Sequence, residues 1–169
     1  HSFPTRRSSD LEKGLRNCVG KGVLAGYPVV FLKATLYFGS YHPVDSSDMA
    51  FQTAAGIAYK EGLPTAGPTL LEPIGELKVL IPDANMGDVI GDLNKRRGRV
   101  MGMNPDPENP GYQIVEAEVP MGEMTSYTID LRAMSQGRGS YTLKLVRYEE
   151  VPQKNQPKII EDAKKEEEE

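Results

Sequence analysis

The stretch ELKVLIPDANMGDVIGDLNKRRGRVMGM, residues 76–103, and its continuation YQIVEAEVPMGEMTSYTIDLRAMSQGRGSYTLKLVRY, residues 112–148, decide the fold. Glu76 to Ile81 reads as a strand, which leads through Pro82 to a helix. Asn85 then offers a helix-capping oxygen with Asp88 at the capping-box position, while Met86, Val89, Ile90 and Leu93 recur on one helical face. Lys95, Arg96 and Arg97 close that helix before Gly98. Arg99 to Met103 reads as a second strand. The Pro- and Asn-rich loop 104–111 joins it to a third, Tyr112 to Val119, in which Gln113, Val115, Ala117 and Val119 share a face. A second helix from about Gly122 to Met134 aligns Met124, Tyr127, Leu131 and Met134, and Gly137-Arg138-Gly139 turns the chain into a last strand, Ser140 to Tyr148. Strand, helix, strand, strand, helix, strand is the split βαβ pattern of a ferredoxin-like sandwich. That fold hosts many functions and identifies none.

Working back from this unit, Gly62-Leu63-Pro64 and Gly67-Pro68 interrupt the pattern, and a domain boundary is expected near Glu72-Pro73. Before it, Phe51, Ala54, Ala55 and Ala58 stripe a helix from Asp48 to Glu61, for which Asp45, Ser46 and Ser47 supply N-cap oxygens. Gly39-Ser40-Tyr41-His42-Pro43 forms the loop leading into it. Val29 to Phe38, with Val30, Leu32, Ala34, Leu36 and Phe38 on one face, predicts a half-buried or central strand. Glu12 to Lys21 predicts a short amphipathic helix ended by Gly20 and Gly22. Residues 1–11, HSFPTRRSSDL, lack periodicity and join Glu12 abruptly; they read as a non-native leader and are left out of the expected fold.

Composition bounds the function. The 169 residues, 38% hydrophobic, suit one or two globular domains, and no apolar run approaches the ~20 residues of a membrane-spanning helix. The single Cys18 excludes an internal disulfide and a cysteine zinc site, and reads as an ordinary helix residue rather than a nucleophile. The net charge of -4 belongs to the end of the chain, because residues 149–169 hold eight acids and four lysines, leaving 16 of each sign in residues 1–148. An RNA partner is therefore compatible with the acidic balance, since binding depends on where the cations cluster. Residues 151–169, charge-rich and without an aromatic, are expected to be disordered. No Gly-x-x-x-x-Gly-Lys-Ser/Thr segment is present for phosphate-loop chemistry.

Five colinear segments then resemble bacterial elongation factor G: Leu24-Ala-Gly-Tyr-Pro-Val-Val30; Gly39-Ser-Tyr-His42 with Val44-Asp-Ser-Ser47; Leu70-Leu-Glu-Pro-Ile74; Met86-Gly-Asp-Val-Ile-Gly-Asp-Leu-Asn94 with Arg96-Arg-Gly98; and Gln136-Gly-Arg-Gly139. The resemblance implies an α+β chain of two domains. Residues 12–72 would be the later part of domain IV, an incomplete ribosomal protein S5 domain 2-like unit; residues 73–150 would be domain V, ferredoxin-like. It also implies a cytoplasmic translocase acting on transfer RNA and messenger RNA. Its ribosomal partners would be the decoding centre and the large-subunit RNA of the GTPase-associated region, with no membrane partner. GTP and magnesium would belong to a GTPase domain that, with domains II and III, lies outside this chain, so no cofactor and no catalytic residue is expected in it.

The same resemblance assigns His42 to the tip that contacts RNA near the codon and anticodon, with Ser40 and Tyr41 assisting and with Gly39, Pro43, Asp45, Ser46 and Ser47 shaping the loop. Pro43 departs from the acidic residue common there. Lys95, Arg96, Arg97 and Arg99 fall within five positions and would suit a phosphate patch, as would Arg138 between two glycines. Paralogues in ribosome recycling or ribosomal protection share this architecture. A free ferredoxin-like regulatory module binding a small ligand is the alternative from another class.

Overall fold

The computed structural model describes residues 5–42 and 44–168, which divide into two compact units. One is Leu71–Val151; the other joins the residues up to Leu70 with those from Pro152 onward. In chain order the helices are α1 (Thr5–Cys18), α2 (Asp48–Gly62), α3 (Met86–Lys95), α4 (Tyr127–Met134) and α5 (Gln156–Glu168). Among the described residues no helix is long and apolar enough to cross a membrane.

In the unit Leu71–Val151 the strands β1 (Leu71–Pro82), β2 (Arg99–Pro105), β3 (Tyr112–Pro120) and β4 (Ser140–Glu150) form one antiparallel sheet in the order β2-β3-β1-β4. Helix α3 follows β1 and α4 follows β3, completing the ferredoxin-like order. The pleat sends Leu77, Val79 and Ile81 of β1 and Val115 and Val119 of β3 to one face, where none is solvent-exposed. Val89 and Leu93 of α3 and Tyr127 and Leu131 of α4 cover that face and share its core. Tyr127 meets Tyr141 of β4 edge to face, with ring centroids 5.0 Å apart.

Details of this unit differ from the sequence expectation. Asn85 does not cap α3 with its side chain; the amide instead donates to the Met134 carbonyl at 2.9 Å, tying the start of α3 to the end of α4. The second helix is split, with a single 3₁₀ turn over Met121–Met124 before α4. The unit also starts before Pro73: β3 runs out at Pro120 opposite Ile74, so the missing N–H of Pro73 disturbs no β3 ladder.

The other unit holds α1, α2 and α5. The helix expected over 12–21 begins at Thr5 and takes in residues 5–11, which corrects the expectation that these lie outside the fold; residues 1–4 lie outside the described ones. The added turns join the packing, since Asp10 is buried and holds Arg7 at 3.4 Å. At Gly14 α1 passes close to α2: a Cβ there would lie 2.6 Å from the Gln52 carbonyl oxygen and 2.9 Å from the Ala55 methyl. Tyr59 of α2 donates its hydroxyl to the Lys21 carbonyl at 3.0 Å, fixing the turn after α1. The tail expected to be disordered forms α5, with Ala163 buried and the Gln156 amide donating to the Thr69 hydroxyl at 2.9 Å.

Val29 to Phe38 is not a strand. The stretch is irregular, Phe31 takes a left-handed φ of 59°, and Phe31, Tyr37 and Phe38 are exposed. Alternation makes a strand only where a neighbour completes its hydrogen-bond ladder, and among the described residues of this unit no strand offers one.

Gly14→Ala should cost about 1–3 kcal/mol of stability, the range for overpacking a close contact. Gly20→Ala, where nothing lies within 4 Å of the new methyl, should be near neutral. Urea unfolding of the two variants beside the parent chain checks this.

Candidate functional site

The loop before α2 is closed by a reciprocal clamp. The His42 N–H donates to Ser46 Oγ at 2.8 Å, and the Ser46 N–H donates back to the His42 carbonyl at 3.0 Å. Ser47 alone is the N-cap, its extended backbone letting Oγ accept from the Ala50 N–H at 3.1 Å. Asp45 and Ser46, expected to cap as well, turn back to His42 instead. Asp45 Oδ2 lies 3.2 Å from His42 Nδ1, and both side chains are well exposed. Ser40 and Tyr41 are exposed beside the histidine, Gly39 is half-buried, and Pro43 lies outside the described residues.

Arg7 braces this loop. Its guanidinium pairs with Asp48 at the start of α2 and lies 5.6 Å from the Tyr41 ring centroid and 5.4 Å from that of Phe51. Leaving residues 1–11 out of the fold hides Arg7, and nothing in the local sequence signals a partner 41 positions away.

In the sheet unit the expected cluster of Lys95, Arg96, Arg97 and Arg99 does not assemble into one patch. Arg96, at the end of α3, donates to Asp92 at 2.7 Å, to Asp130 and to the Glu123 carbonyl at 2.7 Å, and lies 5.2 Å from the Tyr127 ring centroid. Arg97 takes a left-handed φ of 62° and forks onto Glu72 at 2.8 and 2.7 Å, with Glu123 at 3.1 Å. These donors are committed to intramolecular carboxylates. Arg99 belongs to the opposite sheet face, where it and Arg147 both bind Glu118, Arg147 at 2.7 and 2.8 Å. Those hydrogen bonds, from Arg147 first and then Arg99, push the Glu118 carboxyl down to about 2. Lys95 is exposed.

Arg138 stands on a rigid turn. The buried Ser135 donates its hydroxyl to the Leu131 carbonyl at 2.6 Å and accepts from the Gly139 N–H at 2.9 Å, while the Gly137 N–H donates to the Arg132 carbonyl at 2.8 Å. Gly137 needs its freedom for a φ of 78°, and a Cβ on Gly139 would lie 2.8 Å from Ser135 Oγ. With the Gly137, Arg138 and Gly139 N–H groups all donating inside the turn, the backbone is not a phosphate nest; side chains carry the charge. Arg132, absent from the sequence expectation, lines an open depression of about 260 Å³ with Thr128, Leu131, Gly137, Gly139, Ser140 and Tyr141. The signal available for it is two arginines bracketing the glycine turn, which gains meaning only once α4 ends and the chain folds back.

Among the described residues no group of three His, Cys, Asp or Glu side chains could hold a metal ion. The model for the elongation factor G C-terminus matches residues 69–159, and that for elongation factor G, domain IV, matches residues 2–67, including most of the segment read as a leader. The chain belongs to the elongation factor G family of translational GTPases, and its two matched regions are domain IV and the C-terminal domain V. The crystal structure of ttk003000868 from Thermus thermophilus is similar at 44% identity with a TM-score of 0.82, over 96% of this chain and 24% of that one. The chain thus spans about a quarter of that relative.

Glu118 gives a pH test. Its carboxyl is depressed from 4.5 to about 2 in the folded unit, so its contribution is complete above 4.5 and is lost as pH falls through about 2. Glu118→Gln should therefore be less stable than the parent at neutral pH, with the difference shrinking through that acid range. Urea midpoints measured across the range check the sign.

Proposed function

We propose that this chain supplies the ribosome- and RNA-facing part of a translocase, with His42 as the contact made by domain IV to transfer RNA and messenger RNA in the decoding centre. The observation that carries the reading is the exposed imidazole held on a clamped loop at the start of α2, in a chain of this family. An imidazole can hydrogen-bond a phosphate or a 2′-hydroxyl and stack on a base. Tyr41 and Ser40 flank it as further polar contacts. Domain V would add phosphate contacts to large-subunit RNA of the GTPase-associated region through Arg132 and Arg138, with Lys95 as a further exposed cation. GTP and magnesium would be handled by the GTPase domain of a complete factor. In that scheme domain IV keeps transfer RNA from slipping back, and its contribution is shape and contact rather than bond chemistry.

The test places this chain at the end of a complete relative and measures single-round translocation. His42→Ala should slow it at least severalfold, while leaving GTP hydrolysis in place; an unchanged rate removes His42 from the mechanism. A factor that splits ribosomes but does not translocate would favour a recycling paralogue. Arg132→Ala with Arg138→Ala should weaken ribosome binding and reduce its salt slope by about 1 for each phosphate no longer neutralised. An unchanged slope would sink the phosphate assignment.

A further inference from the structure

Three of the four polar groups of His42 are engaged within its own loop. The backbone N–H donates to Ser46 Oγ at 2.8 Å, and the carbonyl accepts from the Ser46 N–H at 3.0 Å. Nδ1 accepts from the Val44 N–H, two residues on, at 3.4 Å. That contact is long, yet it repeats the arrangement of an Asx turn, in which a side chain captures the N–H two positions ahead. An N–H can only donate, so the nitrogen it meets must be bare, and a neutral imidazole with Nδ1 bare carries its proton on Nε2. The exposed Asp45 carboxylate, 3.2 Å from the same nitrogen, lies outside hydrogen-bond geometry and acts as a charge alone.

We infer that the loop presents His42 as a hydrogen-bond donor through Nε2, and that its RNA ligand is a neutral acceptor, a ribose oxygen or the acceptor edge of a base, rather than a phosphate. This rests on the reading of His42 as an RNA contact and names the chemistry of that contact. A phosphate drawn to Nε2 would bring its charge to a ring whose other nitrogen already faces the Asp45 carboxylate, and like charges repel. A ribose or base acceptor meets the same N–H without that repulsion. The clamp with Ser46 fixes the backbone, and Val44 is the positioning residue, its backbone N–H setting which ring nitrogen is left to donate.

Long-range proton–nitrogen NMR on the full 169-residue chain, at a pH where imidazole is neutral, reads the tautomer. The chain has two histidines, and the signal lost in His42→Leu is the one of interest. His42 should hold the Nε2–H form to a greater extent than the same histidine in a free peptide of residues 39–47. Because the clamp uses only the His42 backbone, His42→Leu should leave the Ser46 N–H protected from exchange while the Val44 N–H loses protection. His42→Asn, whose Oδ1 can take the same donor, should keep the Val44 N–H protected. A proton found on Nδ1, a tautomer no more biased than in the peptide, or a Val44 N–H indifferent to His42→Leu overturns the assignment. Single-round translocation by the complete factor, on messengers altered at the codon in the decoding centre, reads the ligand. A rate that 2′-deoxy substitution lowers in the parent but not in His42→Ala identifies a ribose acceptor, and a His42-dependent rate insensitive to it identifies a base edge. Uncharged methylphosphonate linkages should make no difference between the two proteins; a loss confined to the parent identifies a phosphate and overturns the neutral-acceptor assignment. An inert His42→Ala variant would remove the RNA reading while leaving the Nε2–H tautomer standing.

Discussion

Everything in the sheet unit depends on β1 being paired along both edges. Leu77 stands opposite Ala117 of β3 and Leu143 of β4, and Val79 opposite Val115 and Tyr141, so the same inward row is flanked by apolar side chains on either side. That row can be dried only if the two crossover helices lie over it, and α3 and α4 bring Val89, Leu93, Tyr127 and Leu131 to do so. Burial of this kind yields about 1.5–3 kcal/mol for each large apolar side chain, which makes the row the main source of the unit's stability. The pleat then leaves Glu76, Lys78, Glu116 and Glu118 on the other face, where neighbours pair laterally, as Lys78 does with Glu116 at 2.8 Å.

The arginines show how the same packing disposes of charge. Arg96 and Arg97 arrive at the end of α3 beside Asp92, Asp130, Glu72 and Glu123, and their donors are used before any external anion could claim them. The Asp92 and Glu72 carboxylates are partly buried, so removing the arginine facing either would leave an uncompensated charge at greater cost than in a solvent-exposed pair. Four cations in sequence therefore do not make a cationic surface. Arg132 and Arg138 arise from a helix end and a glycine turn whose own N–H groups are occupied; both residues are exposed, and Arg138 also reaches back with its Nε to the Ser135 carbonyl at 3.4 Å.

The sheet unit is legible in the sequence because each strand's partners lie within Leu71–Val151 and its apolar period appears in full. The α+β class, the order of elements and most of the core follow from spacing alone. The failures share a cause: each requires knowledge of a distant partner. Val29 to Phe38 has the alternation of a strand without a ladder to join. Asn85 has a capping residue's chemistry but a better acceptor in Met134, 49 positions on. Arg7 gains its role from Tyr41, Phe51 and Asp48, none near it in sequence. In the loop, the presence of His42, Asp45, Ser46 and Ser47 is plain, but the three residues that all look like caps divide the work among themselves.

That division explains how an exposed loop can present a defined imidazole. On its N-terminal side the chain from Phe31 to Phe38 supplies no ladder, so order at His42 must come from the helix that follows. Ser47 starts α2, Ser46 closes onto the His42 backbone from both directions, and Arg7 pins Asp48 and the Tyr41 ring to the same helix start. Three local restraints thus replace the missing sheet edge as the support. An exposed contact such as that of the His42 imidazole with the Asp45 carboxylate at 3.2 Å contributes little to stability, about 0–1 kcal/mol, so the order of the loop rests on the backbone clamp and the helix cap.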